Sequence, residues 1–97
     1  MRVIALSTLR DFWARHADAE QPLRAWNAET KRAQWKSPVD IKMAYPSASV
    51  VADSRVVFNI GGNKYRLVVK LQYAFGIVYI RFIGKHSDYD RIDVESI

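Results

Sequence analysis

The sequence predicts an α+β fold in which two N-terminal helices pack on one face of a small, mainly antiparallel β-sheet. Three observations lead to it. Apolar residues in the first third of the chain recur at helical spacing, those after Ser54 alternate with polar ones, and glycine-containing turns separate the alternating segments. With 97 residues, 49% of them hydrophobic and 26% charged, residues 1–97 are expected to form one domain with a real core.

The N-terminal elements follow from the spacing of their apolar residues. Arg2 to Leu6 reads as a short strand that joins the sheet, and Ser7 or Thr8 can cap the helix that follows. A second helix is expected to begin at Asp18. The predicted buried stripes of the two helices are Leu9, Phe12, Trp13 and His16, and then Leu23, Trp26, Thr30 and Ala33. His16 is therefore interpreted as the rim of a core stripe. A short helix or turn is expected at Val39 to Met43, and a loop at Pro46 to Ser49.

The C-terminal half predicts a three-stranded meander. The predicted strands are Arg55 to Ile60, Lys64 to Tyr73 and Ile77 to Gly84, and the third is apolar enough to be central. Gly61-Gly62-Asn63 and Ala74-Phe75-Gly76 are the turns between them. Residues Lys85 to Ile92 then read as a loop or a single helical turn. The helices are expected to cover the face that carries Leu67, which leaves Lys64, Arg66 and Lys70 on an open, basic face.

Positive charge is concentrated in one part of the chain. The net charge is +5, and the stretch from Ser54 to Ser87 carries six basic residues and no acidic one. Clustered cations without partners are expected to meet an anion, and a polyphosphate is the commonest one. Basicity alone is equally compatible with a solvated face that keeps the protein soluble.

Composition also excludes several function classes. The absence of cysteine excludes disulfides, thiolate metal sites and a cysteine nucleophile, and His16 and His86 lie too far apart in sequence to suggest a metal site. No apolar run is long enough to span a membrane or form a signal peptide, so we expect a cytoplasmic protein without membrane contact. Phosphate-binding glycine motifs and a G-x-S-x-G motif are absent, and neither a cofactor nor a metal is predicted.

Arg81 is the charged residue that interrupts the apolar third strand. A charged side chain there costs free energy unless it is paired or solvated. One interpretation is an ion pair with Asp90 that fixes the C-terminal segment. The other is that Arg81 lines a cleft with Arg66 of the adjacent strand and binds phosphate, which the planar guanidinium does in bidentate fashion.

The residues after this strand suggest acid–base chemistry. His86 and Tyr89 are three residues apart, so on a helical turn they face the same way. Metal-free RNA cleavage needs proton transfer at the 2′-hydroxyl and the 5′-oxygen, to which histidine is suited, and a cation for the charged phosphorane. Tyrosine can stack on a base or orient the phosphate. The spacing H-x-x-Y is common by chance, and it gains weight from the basic strands before it.

Three segments of the sequence resemble the HigB family of bacterial type II toxins. They are Asp40-Ile41-Lys42, the string Arg55-Val56-Val57-Phe58-Asn59-Ile60-Gly61-Gly62-Asn63-Lys64-Tyr65-Arg66-Leu67-Val68-Val69, and the string Tyr79-Ile80-Arg81-Phe82-Ile83-Gly84-Lys85-His86-Ser87-Asp88-Tyr89-Asp90. The opening helices also look like that family. The resemblance implies a RelE-like fold and an endonuclease that cleaves mRNA on translating ribosomes. It also implies, as a partner, a HigA-type antitoxin with a helix-turn-helix DNA-binding domain.

The resemblance also implies which residues form the active site. By position they are Arg66, Arg81, His86 and Tyr89, and Lys42 is expected to contact RNA together with Lys64, Lys70 and Lys85. Threonine is usual in the family where this chain has Lys85, and the added positive charge disfavours the protonated form of His86. The alternatives to an mRNA interferase are a non-catalytic module that binds RNA or a partner through its basic face, and a structural protein that covers an acidic partner.

Overall fold

The computed structural model describes residues 1–51 and 54–97, and it confirms the α+β fold class. The elements in chain order are β1 (Arg2–Ile4), α1 (Leu6–Arg15), α2 (Glu20–Arg32), α3 (Pro38–Ala44), β2 (Ser49–Val51), β3 (Arg55–Ile60), β4 (Tyr65–Gln72), β5 (Ile77–Lys85) and α4 (His86–Tyr89). Short 3₁₀ turns at Ala17–Ala19 and Tyr73–Phe75 precede α2 and β5. No helix of the described ranges is long and apolar enough to cross a membrane.

The five strands form one sheet in the order β1-β5-β4-β3-β2. Strand β1 is parallel to β5, and the other three pairs are antiparallel. The meander and the place of the first strand are therefore as predicted, and β5 is an interior strand. The loop predicted over residues 46–49 is wrong at its end, because Ser49 begins the edge strand β2. This strand has three residues and is largely exposed, so it has no burial pattern that the sequence could display.

The second helix also begins differently from the prediction. Asp18 lies in the 3₁₀ turn, and α2 starts two residues later at Glu20. The turn buries Ala19 completely. Tight 3₁₀ turns are common at helix N-termini, and here the turn leaves the Asp18 carboxylate outside the helix.

The helices cover one face of the sheet, as the alternation predicts. Leu67 and Leu9 are fully buried in this core, and the ring of Trp26 meets the edge of Phe58 at 5.5 Å. His16 stacks on Phe12 with ring centroids 4.4 Å apart and is half-buried. The interpretation of His16 as the rim of the core stripe is therefore confirmed.

The other face of the sheet is not open, contrary to the prediction. Val57 and Val68 lie on it and are only 2% and 0% exposed. The C-terminal tail, residues 90–97, ends at this face. The tail leaves α4 at one end of the sheet, and at the other end the carbonyl oxygen of Ile97 accepts a hydrogen bond from Nε of buried Arg55 at 2.7 Å. Within the tail, Ile92, Val94 and Ile97 are half-buried and the polar residues between them are exposed.

A β-bulge explains how β5 accommodates Arg81. Val68 pairs with Phe82, but the next residue, Val69, pairs with Ile80, so Arg81 is an extra residue without a partner on β4. Its side chain is exposed and makes no hydrogen bond or ion pair with any described residue. The ion pair with Asp90, one of the two interpretations of Arg81, is therefore not formed, and the exposed guanidinium is accessible to solvent.

Replacing Arg55 with methionine tests how the tail is held. Methionine has an unbranched side chain but cannot donate to the Ile97 carbonyl. We expect R55M to lower the free energy of unfolding by about 1–3 kcal/mol, because hydrogen bonds from charged groups contribute about this much. The matched control is R81M, which removes an exposed arginine and is expected to stay within about 0.5 kcal/mol of the parent protein. Urea denaturation measures both, and equal stabilities would contradict the anchoring role of Arg55.

Candidate active site

The site is built where the start of β4 meets the end of β5. Arg66 lies opposite Gly84, and α4 begins two residues after Gly84. The chain reverses there, so the imidazole of His86 returns over Arg66. Nε of Arg66 donates a hydrogen bond to Nε2 of His86 at 3.0 Å. Both side chains are half-buried.

Tyr89 also contacts the guanidinium of Arg66. The Cζ atom of Arg66 lies 5.2 Å from the centroid of the Tyr89 ring, within the range of a cation–π interaction. His86 and Tyr89 therefore both face Arg66, as their spacing predicts. The three side chains fix one another, and the guanidinium is positioned by two uncharged groups, an imidazole and a phenol ring.

Asn63 is a member of this site that sequence reasoning missed. Its Oδ1 lies 3.3 Å from Nε2 of His86. The turn residues with positive φ are Gly61 at 63° and Gly62 at 70°, whereas Asn63 is not among the described residues with positive φ. The backbone therefore does not explain the asparagine, although the sequence pattern favoured that interpretation. A polar residue three positions before Arg66, at the same end of the sheet, was the available signal.

The protonation state of His86 follows from its partner. A guanidinium always carries its Nε proton, so Nε2 of His86 must be the acceptor. The imidazole is then neutral, with its proton on Nδ1. In this form it is able to take up a proton at Nε2.

Arg81 is not in contact with these side chains. It lies three residues before Gly84 on β5, which is ~10 Å along the strand. Its exposed guanidinium has no partner among the described residues. The structure therefore brings Arg66, His86 and Tyr89 together and leaves Arg81 on the surface beside them.

The four predicted RNA-binding lysines differ in their surroundings. Lys85 is exposed directly before His86, and Lys70 is half-buried on β4; neither has a hydrogen-bond partner among the described residues. Lys42 donates to the carbonyl oxygens of Pro46 at 2.8 Å and Ala48 at 2.6 Å, which holds the loop before β2. Lys64 forms an ion pair with Asp18, so its ammonium lies on the helical side of the sheet and not beside Arg66.

Asp18 joins the 3₁₀ turn to the hairpin that carries Asn63. Its carboxylate accepts hydrogen bonds from Lys64 and, at 2.6 Å, from the hydroxyl of Tyr65. These two bonds, with that of Lys64 the stronger, hold the pKa of Asp18 below its ordinary value of 3.8. The same contacts raise the pKa of Lys64 and of Tyr65.

Phe82 forms an apolar wall next to the site. Its ring lies over Gly84: a Cβ atom added to Gly84 would come within 2.6 Å of the ring's Cζ. Gly84 is buried near the end of β5 and lies opposite Arg66, so the missing side chain makes room for the ring. The Phe82 ring is half-exposed and lies on the same face of the sheet as Arg66.

A cavity of about 390 Å³ lies at the opposite end of the sheet, lined by Trp35 and Tyr73 among others. Burial raises the pKa of Tyr73 there, with a smaller effect of Asp40. The cavity contains none of the predicted catalytic residues. Within the described ranges, no three histidine or carboxylate side chains are grouped so that they could hold a metal ion.

The comparisons with known proteins identify the family of this chain. Residues 19–92 match the model of the HigB toxin family, described as the RelE-like toxic component of a toxin–antitoxin system. The chain belongs to this family. An antitoxin partner is therefore part of its biology.

Curated relatives match nearly the whole chain. The mRNA interferase toxin HigB of Escherichia coli strain K12 is 28% identical over 92 residues, which cover 93% of this chain and 88% of the relative. The proteins named mRNA interferase HigB from Escherichia coli O157:H7 and Shigella flexneri match with the same identity and coverage. All of the residues around His86 described above lie within the matched family region.

Replacing Asp18 with asparagine tests the anchor of the hairpin. Because folding lowers the pKa of Asp18, the ionised carboxylate stabilises the fold above pH 3.8, and this stabilisation is lost as the pH falls through and below that value. We expect D18N to have a lower melting temperature than the parent protein at about pH 7, with the difference shrinking as the pH falls below 3.8. The control D11N removes an exposed carboxylate on α1. A difference between D18N and the parent that does not depend on pH would rule out the ionic contribution of Asp18.

Proposed function

We propose that this protein is an mRNA interferase: an endoribonuclease that cleaves translated mRNA on the ribosome in the cytoplasm and so inhibits translation and growth. The observation that carries this proposal is the hydrogen bond from Arg66 to a neutral His86, with Tyr89 stacked on the guanidinium. The names of the relatives support the same activity. The partner that restrains the toxin is proposed to be a HigA-type antitoxin with a helix-turn-helix domain.

The proposed reaction uses the ribose 2′-hydroxyl as the nucleophile. It attacks the adjacent phosphorus and loses its proton, and the 5′-oxygen gains a proton as it leaves. The products are a 2′,3′-cyclic phosphate and a free 5′-hydroxyl. His86 transfers a proton in one of these steps, because its ring is neutral, held in place and half-exposed to a substrate.

Arginine and tyrosine supply the remaining functions of the proposed mechanism. Arg66 stabilises the charge of the phosphorane, since none of its partners in the described structure is a carboxylate that would compensate its charge. Tyr89 keeps the guanidinium in place and orients the phosphate. Arg81 is proposed to act on the same RNA from the surface of the bulge, where its guanidinium is free to turn toward a phosphate.

The cleavage rate of a His86 variant tests the mechanism. We expect H86Q to keep its fold and its RNA binding but to cleave roughly 10²–10⁴-fold more slowly, the usual effect of general acid–base catalysis. The control is H16Q, which changes the histidine stacked on Phe12 and is expected to cleave at nearly the parent rate. The measurement is single-turnover cleavage of mRNA on ribosomes, with the cyclic phosphate identified at the new 3′-end and EDTA expected to have no effect. A rate for H86Q within about threefold of the parent, far below that factor, would remove His86 from the mechanism.

The salt dependence of binding tests the assignment of the basic residues. Each lost phosphate contact reduces the slope of log K against log salt by about one unit. We expect K70Q, K85Q and R81Q each to reduce the slope for binding to RNA or ribosomes. The same experiment tests the predicted RNA contacts of Lys42 and Lys64. In the free protein each of these ammonium groups already binds oxygens of the protein. Unchanged slopes for K70Q, K85Q and R81Q would refute the proposed binding face.

A further inference from the structure

Two groups compete for one nitrogen of His86. Nε of Arg66 lies 3.0 Å from Nε2, and Oδ1 of Asn63 lies 3.3 Å from the same atom. The guanidinium can only donate a hydrogen bond, whereas a carbonyl oxygen can only accept one. Nε2 therefore cannot satisfy both groups at the same time, and its proton decides which of them is its partner.

In the neutral ring the partner of Nε2 is Arg66. A ring protonated on both nitrogens has no lone pair left, so the hydrogen bond from Arg66 is lost and two positive charges face each other. Nε2 then needs an acceptor, and Oδ1 of Asn63 is already within reach. It is an uncharged acceptor, so the protonated ring remains free to release its proton again.

We propose that Asn63 is a positioning residue for His86: it accepts the Nε2–H of the protonated ring, and this change of partner releases Nε of Arg66 to bind the phosphate. The inference rests on the proposed function, in which His86 passes through its protonated form whether it acts as the base or as the acid. As base, it receives the proton of the 2′-hydroxyl; as acid, it delivers one to the 5′-oxygen. In both cases the guanidinium is released in the state in which the phosphate carries the most negative charge.

The local structure supports a role for the Asn63 side chain. The two glycines of the turn take the positive φ angles, and the exposed Asn63 side chain makes no other hydrogen bond with a described residue. The neighbouring Lys64 holds the turn in place through Asp18 on the helical side. Asn63 is therefore presented to His86 by a fixed hairpin, and the fold does not require an asparagine there.

The other charged and titratable groups around the ring are few. Arg66 reaches it from β4, and Tyr89 on α4 contacts that guanidinium. Lys85 and Asp88 are neighbours of His86 in the chain, and both are exposed. Lys64 and Asp18 are paired with each other. Asn63 is the acceptor that the described structure places next to Nε2.

The change of partner is tested in the free protein by ¹⁵N NMR of the His86 ring in an acid titration. In the parent protein we expect an acceptor Nε2 while the ring is neutral. Once the ring is protonated, we expect an Nε2–H that is protected from exchange with solvent. In N63A the neutral state should be unchanged, whereas the protection of the protonated Nε2–H should be lost. N63D keeps an acceptor oxygen, so the protection of the Nε2–H should be retained. This result excludes the opposite arrangement, in which the Asn63 amide donates to the ring.

Cleavage kinetics complete the test. We expect N63A to lower kcat roughly ten- to hundredfold with KM nearly unchanged, as for loss of a hydrogen bond to a charged group. The control N27A changes an asparagine on α2, on the far side of the sheet, and should not affect cleavage.

Protection of Nε2–H in N63A equal to that in the parent protein would overturn the inference, whatever the cleavage rates are. Full activity of H86Q would instead overturn the proposed role of His86, and the NMR result on the partner of the ring would be unaffected. The two failures are therefore distinguishable.

Discussion

The pairing of β4 with β5 is the constraint on which the rest of the site depends. Its register sets Arg66 opposite Gly84, and the chain leaves β5 one residue after that position. Only because the strand ends there does α4 turn back and bring both His86 and Tyr89 to the Arg66 guanidinium. A shift of one residue would turn the side chain of Arg66 to the helical face and separate it from both. The bulge at Arg81 separates the strand pairs near the site from those in the first half of β5. It therefore changes the side-chain direction in that first half and leaves the site undisturbed.

Coverage of both sheet faces determines where a substrate can approach. The helices occupy one face, and the C-terminal tail occupies the middle of the other, held at its end by Arg55. The second face is accessible where β4 begins and β5 ends, since Arg66 and Phe82 are half-exposed there. Val57 and Val68 are buried on this second face, so the middle of the face is closed to a substrate.

The sequence predicts those parts of the fold that depend on local pattern, and it misses those that depend on distant contacts. The β3–β4 hairpin, the stripe of α1 and the shared direction of His86 and Tyr89 follow from periodicity and turn chemistry. The bulge does not, because alternation in β5 is read from one strand and the extra residue is defined only by its partner strand. The ion pair of Lys64 with Asp18 spans 46 residues, and the bond from Arg55 to Ile97 spans 42. The same reason explains why Asn63 was interpreted as a turn residue: its partner lies 23 residues away.

These contacts divide the cations of the basic stretch into two kinds. Lys64 is compensated by the Asp18 carboxylate, and Arg55 is buried and bound to the C-terminal residue, so both contribute to the fold. Arg66 is held instead by an imidazole and a phenol ring, which fix its position and leave its charge uncompensated. A carboxylate in their place would hold the guanidinium equally well, but an incoming phosphate would then have to displace it. Positioning by neutral partners avoids that competition, and it makes the protonation state of His86 the factor that determines whether the Nε–H of Arg66 is available to bind an anion.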